Sequence, residues 1–122
     1  VTALTTSPNL GTGATRQGTF NWLGRLVHAQ VVIKFGSGSS AGSGIYEISL
    51  PTPARSQSVG RRTGSAYAYS HSNDFEDGVC FIEPAATDKV RVSIGGTVVT
   101  NTAPWAWTNG DELGFNIVYE AA

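Results

Sequence analysis

The chain is poor in the residues that most chemistry and most partners need. It holds one cysteine, Cys80, so neither an intrachain disulfide nor a thiolate metal cage can form. Cys80 lies in the apolar run Val79-Cys80-Phe81-Ile82 and reads as a small buried hydrophobe. A disulfide-free domain fits assembly in a reducing cytoplasm. Charged residues make up only 14 % of the sequence and the formal net charge is −1. That argues against nucleic acid, which needs a clustered basic face to neutralise phosphates. No apolar run approaches the roughly 18 residues of a membrane span, and no signal-peptide pattern opens the chain, so no membrane insertion is expected. Methionine is absent and residue 1 is Val, from which the chain is expected to be a processed product or a piece of a longer protein.

Catalytic constellations are equally scarce. The histidines are His28 and His71, and no serine sits in a Gly-x-Ser-x-Gly elbow; Ser43 in Gly42-Ser43-Gly44 belongs to a low-complexity stretch. Asn73-Asp74-Phe75-Glu76-Asp77-Gly78 gathers oxygen ligands but lacks the regular acidic spacing of a calcium loop, and Asn and Asp are ordinary turn formers, so it reads as a hairpin turn. Glycosidase chemistry would need two carboxyls flanking a cleft, and the available acids fall mostly in turns or on outward faces. No catalytic residue, metal ligand or cofactor is assigned, and the chain is not expected to be an enzyme.

What is present is a period of two. From Arg25 to Phe35 the odd positions Val27, Ala29, Val31, Ile33 and Phe35 form an apolar face, while Leu26, His28, Gln30, Val32 and Lys34 form a mixed one. Before it, residues 11–24 read as a strand leading to a turn. After it, residues 36–44, all Gly, Ser or Ala, read as a loop that breaks the sheet. Ile45–Leu50 is a strand stopped by Pro51, and residues 54–63 are a polar loop. A strand over about Ser65–Ser72 sets Tyr67, Tyr69 and His71 against Ala66, Ala68 and Ser70. Val79–Glu83 and Asp88–Ile94 are further strands, and Gly95-Gly96 turns the chain back into Thr97–Thr100. The ending alternates Leu113, Phe115, Ile117 and Tyr119, a strand so apolar that it must be buried in a sheet. About eight short strands joined by Gly, Pro, Ser and Asn predict an all-β, antiparallel, jelly-roll-like β-sandwich, one domain over residues 1–122.

Two surfaces stand out as candidates for binding. The local basic cluster Arg55, Arg61 and Arg62, together with Asn73 and Asp74, supplies loops that can vary on a rigid sandwich, and these are the candidate ligand-binding residues at one end of the domain. The even face of the long strand (Leu26, His28, Gln30, Val32) would leave Leu26 and Val32 in water on a lone sandwich. Tyr67 and Tyr69 share a face, backed by small residues that can approach another surface closely. These six are the candidate subunit contacts. The tryptophans Trp22, Trp105 and Trp107 read as core or as an end plug, Trp105 and Trp107 two apart on one strand face, with a sugar-stacking platform as the alternative.

Three blocks carry a resemblance. Gly18-Thr19-Phe20-Asn21-Trp22-Leu23-Gly24-Arg25-Leu26-Val27-His28 resembles the opening of C-terminal domains of actinobacteriophage minor tail and tail-fibre proteins. The Gly/Ser loop followed by a strand ending in Leu50-Pro51 is similar to the next element of that family, as is Pro104-Trp105-Ala106-Trp107-Thr108-Asn109-Gly110-Asp111 with the strand to Glu120. Together the blocks span nearly the whole chain in order, while residues 55–78 match no pattern. The resemblance implies the C-terminal piece of a virion protein assembled in the host cytoplasm, a homotrimeric jelly-roll head comparable in outline to tumour-necrosis-factor-like domains. Its partners would be other virion proteins and a bacterial cell-surface glycan. A capsid decoration protein and a carbohydrate-binding module detached from an enzyme are the alternatives, to be separated by the parent reading frame.

Overall fold

The computed structural model describes residues 2–3, 6–56, 59–71, 74–84 and 87–122, the first two by backbone alone. The fold is all-β and antiparallel. The strands are β1 (Thr2–Ala3), β2 (Thr15–Leu23), β3 (Leu26–Lys34), β4 (Tyr46–Ser49), β5 (Arg62–Tyr69), β6 (Phe75–Ile82), β7 (Lys89–Ile94), β8 (Thr97–Val98) and β9 (Glu112–Glu120). They form a continuous sheet in the order β1-β4-β7-β6-β5-β9-β3-β2, with β8 attached to β7. The sheet curls into a half-barrel, and its inner face gathers one core from β3, β4, β5, β6, β7 and β9.

The alternation decides which face goes in. On β3, Val27, Ala29 and Ile33 are buried, with Phe35 just beyond, while Val31 is only half-buried. On β7, Val90, Val92 and Ile94 are buried, and on β4, Tyr46 and Ile48. The terminal strand β9 lies in the middle of the sheet, paired with β3 along its whole length and with β5 over Glu112–Asn116. Its Leu113, Phe115, Ile117 and Tyr119 are all buried. A one-residue slip in this strand would turn four apolar side chains outward, so its register is strongly specified.

Four expectations need correction. The Ser70 amide donates to the Asp74 carbonyl at 2.7 Å, and β6 already begins at Phe75, so Glu76, Asp77 and Gly78 are strand and not turn. Pairing with Ala66–Tyr69 of β5 supplies the ladder, which overrides the poor strand propensity of these residues. The Gly/Ser stretch is not a free loop: residues 37–43 run beside residues 6–12 through paired backbone bonds at Thr6–Ser43, Asn9–Ser40 and Thr12–Ser37. Only glycine fits at Gly36, where a Cβ would fall 2.2 Å from the Thr12 carbonyl oxygen. Trp105 and Trp107 lie outside any strand, although Trp107 does plug the core, stacked on Phe35 at 5.5 Å, with its Nε1 donating to the Thr100 carbonyl. Trp22, finally, is half-exposed, because β2 is an edge strand with β3 as its one neighbour.

Asp111 fixes the turn before β9. Its carboxylate is buried and accepts from the His71 amide and the Thr108 amide, both at 2.9 Å, with His71 Nδ1 also 2.9 Å away. This ties the β5–β6 connection to the segment that launches the central strand.

Candidate functional site

Cross-strand partners share a face, and the registers of five neighbouring strands therefore run as rows across the outer surface of the sheet. One row is Thr19–Gln30–Asn116–Ser65–Val79, the next Gln17–Val32–Gly114–Tyr67–Asp77, and the third Thr15–Lys34–Glu112–Tyr69–Phe75. The surface is rich in neutral carboxamides and hydroxyls, with Asn116 Nδ2 donating to Ser65 Oγ at 2.7 Å. At one side the rings cluster: Phe75 stacks on Tyr67 at 5.6 Å and lies tilted to Tyr69 at 6.4 Å. The Tyr67 ring covers Gly114, where a Cβ would fall 2.3 Å from it. Burial, then the adjacent Glu112 charge, raises the Tyr67 phenol above its ordinary pKa; its hydroxyl donates to Glu112 Oε2 at 3.4 Å.

The six candidate subunit contacts all fall on this one outer face. Val32 and Tyr67 flank Gly114, and Gln30 and Ser65 flank Asn116, so β9 joins two groups that are far apart in sequence. The reason first given for the tyrosines needs correction, because the small residues behind them, Ala66, Ala68 and Ser70, are buried on the inner face and approach the domain's own core. Leu26 is 48 % exposed, as are Trp22 at 51 %, Val118 at 53 % and Leu23 at 79 %; together with Asn21 and His28 they line one shallow apolar depression at the β2–β3 turn. On the inner side of the same hairpin Phe20 is also exposed, at 52 %. It faces a groove of about 300 Å³ where β2 does not reach β4, lined by Gly18, Phe20, Val31, Ile33, Ile48 and Leu50 among others.

The candidate ligand residues do not converge. Arg55, Arg61 and Arg62 gather where β5 starts, and Asp74 lies past its far end. Eight strand residues at about 3.3 Å rise put roughly 25 Å between them. Asn73 lies outside the described residues. The arginines are also engaged: Arg55 Nη1 pairs with Glu120 Oε2 at 3.2 Å, Arg61 Nη2 with Glu83 Oε2 at 3.0 Å, and Arg25 adds a contact to Glu120 at 3.6 Å. Arg62 differs, with its guanidinium nitrogens sequestered and, among the described residues, without a hydrogen-bond partner.

The two ends of the half-barrel carry opposite charge. Around the β2–β3 turn stand Arg25, Arg55, Arg61, Arg62 and Lys89 against Glu83, Asp88 and Glu120, an excess of two positive charges. Around the β5–β6 turn stand Asp74, Glu76, Asp77, Asp111 and Glu112 against Arg16 and Lys34, an excess of three negative. Glu47 and Arg91 cancel between them, paired at 3.1 Å. The net charge of −1 is the sum of two unlike ends.

The His71–Asp111 pair has the geometry of two members of a triad, but among the described residues His71 has no hydroxyl or thiol partner at its other ring nitrogen. Among the described residues no three His, Cys, Asp or Glu side chains converge as a metal cage. The sequence reading missed Phe75, Asn116 and the polar face of β2, although the alternation of Gln17, Thr19 and Asn21 with Gly18, Phe20 and Trp22 was available as a signal. Set beside known proteins, the chain matches no family model, no curated protein and no solved structure.

Proposed function

We propose that this chain is a non-enzymatic assembly and attachment domain of a bacteriophage virion, at the distal end of a tail or fibre. It self-associates as a trimer through the β2–β3 hairpin and holds a host-surface glycan at each subunit. The observation that carries the reading is the apolar surface of Trp22, Leu23, Leu26 and Val118, each about half-exposed or more and contiguous at one turn. Soluble monomers rarely leave such a patch in water, and a closed ring of identical contacts covers it on every subunit. The rows of Gln17, Thr19, Gln30, Asn116 and Ser65 beside Tyr67 and Tyr69 offer hydroxyl-binding amides and ring faces, the chemistry a neutral sugar needs. The first and last blocks of the tail-protein resemblance fall on this hairpin and on β9, the elements that build the surface.

Sedimentation velocity tests the assembly. The wild-type domain is expected to form a concentration-dependent trimer, and Trp22→Ser with Leu26→Ser to be monomeric with an unchanged melting temperature, since both side chains are exposed in the single subunit. A wild-type protein that stays monomeric at every concentration overturns the reading.

A further inference from the structure

We propose that the groove between β2 and β4 is an acceptor site for an extended segment of another polypeptide, which enters as one further strand and closes the half-barrel. From β4 through β7, β6, β5, β9 and β3 to β2, every neighbouring pair is antiparallel. These seven strands therefore leave β4 and β2 running in the same direction. One more strand, antiparallel to both, completes an eight-stranded antiparallel barrel, the size at which side chains alone fill the interior. β1 has this direction but meets β4 only at Tyr46 and Glu47. In line with it, beside Ile48 and Leu50, the groove of about 300 Å³ opens.

Both walls present backbone to the groove. The Phe35 amide donates to the Asp111 carbonyl at 2.9 Å, so by alternation the odd residues of β3 bond toward β9 and the even ones toward β2. The β2 partners of those even residues are its own odd ones, which leaves the amides and carbonyls of Arg16, Gly18 and Phe20 directed away from β3. On the other wall the Leu50 amide donates to the Asp88 carbonyl at 3.0 Å, toward β7, and Ser49 turns its own groups to the open side. Edge strands are commonly guarded by proline, lysine or a bulge. β2 has none of these along its unbroken register with β3.

The floor calls for apolar side chains. Val31 is only half-buried between the buried Ala29 and Ile33, and Phe20 is half-exposed. A cavity of about 150 Å³ holds a benzene ring, so the groove holds about two apolar side chains, at i and i+2 of an inserted strand. A second copy does not supply that strand, because among the described residues its long strands all belong to its own sheet. Running antiparallel to β2, the inserted segment begins at the arginine end, whose excess of two positive charges favours acidic residues ahead of the strand. The inference does not rest on the assembly reading, which uses the turn of the hairpin and not this edge.

The test is amide hydrogen exchange in the ¹⁵N-labelled wild-type domain, with a panel of synthetic peptides in which two aspartates precede threonine alternating with valine, leucine or phenylalanine. In the free domain the Gln17 and Thr19 amides, bonded to β3, are expected to exchange slowly and those of Gly18 and Phe20 fast. At least one peptide is expected to slow Arg16, Gly18, Phe20 and Ser49 saturably, by about tenfold or more. The same peptide N-methylated at alternate residues keeps its side chains and is expected to lose the effect. Gly18→Pro removes an amide that β3 does not use, as an edge strand tolerates, and is expected to melt near wild type and bind the peptide more weakly. The Trp22→Ser, Leu26→Ser variant is expected to respond as wild type does, whatever its state of assembly. No slowing with any peptide overturns the proposal, and so does binding that N-methylation leaves unchanged. Slowing of the same amides by protein concentration alone would give the edge to a second copy and overturn it as well. If Gly18→Pro does not fold, the exchange pattern in wild type decides.

Discussion

Cys80 is enclosed on the inner face of β6, its Sγ 3.4 Å from the Asn116 carbonyl oxygen and 3.7 Å from that of Ser65. Burial pushes its thiol from 9.0 up to about 11. The folded state therefore keeps its proton at a pH where the unfolded chain has lost it, and the unfolded chain gains the advantage. The thiol's contribution to stability is intact below the unfolded value of 9.0, falls as pH rises past it, and is lost by the time pH passes the folded value near 11. Tyr46, raised by burial to about 12, extends the decline further. Urea midpoints measured from neutral to alkaline pH are expected to fall across this window, and to start falling later in Cys80→Ala. Superimposable profiles for the two proteins would count against a thiol held in its neutral form.

At the scale of elements, β9 does most to hold the sheet together, because it is the one strand that joins the β2–β3 hairpin to the β5–β6 pair. Phe115 stands at its centre, buried, with Val31 as its partner on one side and Ala66 on the other. Phe115→Ala is expected to cost about 3–5 kcal/mol from lost transfer energy and the cavity left behind. A different mechanism operates at Gly64, where a Cβ would fall 2.1 Å from the Asn116 carbonyl oxygen. That obstacle is backbone, so β5 and β9 must part to admit it, and Gly64→Ala is expected to cost about 1–3 kcal/mol as overpacking. Chemical denaturation of the two variants checks both figures, and an unchanged midpoint for either would remove the pairing assigned to it. The hairpin behaves differently again. All nine residues of β2 are exposed, so substitutions there are expected to act on association and leave the fold intact.

The whole molecule is a half-barrel with unlike ends, an apolar turn at one of them, and along its side a face of mostly neutral polar and aromatic residues. On the proposed reading each subunit holds its glycan weakly, and affinity comes from repetition. Displaying trimers on a multivalent particle is expected to strengthen binding to susceptible cells by about a hundredfold or more without any new contact, measured as the half-saturating concentration of labelled domain. Labelled domain that stains no susceptible host and instead saturates isolated capsids would transfer the case to decoration. Release of sugar fragments, abolished by one carboxylate substitution, would show an enzyme.

The alternation of side chains is a local property, and everything that depends on it was legible in the sequence. The buried faces of β3, β4, β7 and β9 follow from it, as do the hairpin at Gly95-Gly96 and the interior place of the last strand and of Cys80. Which strand lies beside which is not local, because pairing energies are summed between segments tens of residues apart. Only the tertiary structure could set Val32 and Tyr67 on either side of Gly114, send Asp74 to the end opposite Arg55 and Arg61, and extend β6 back to Phe75 along the β5 template. It also decided the fate of two adjacent arginines that look alike in the chain: Arg61 precedes the strand and turns to Glu83 at the surface, while Arg62 begins it and points inward, where among the described residues no hydrogen-bond partner meets it. One step of alternation separates an ordinary surface ion pair from a sequestered charge.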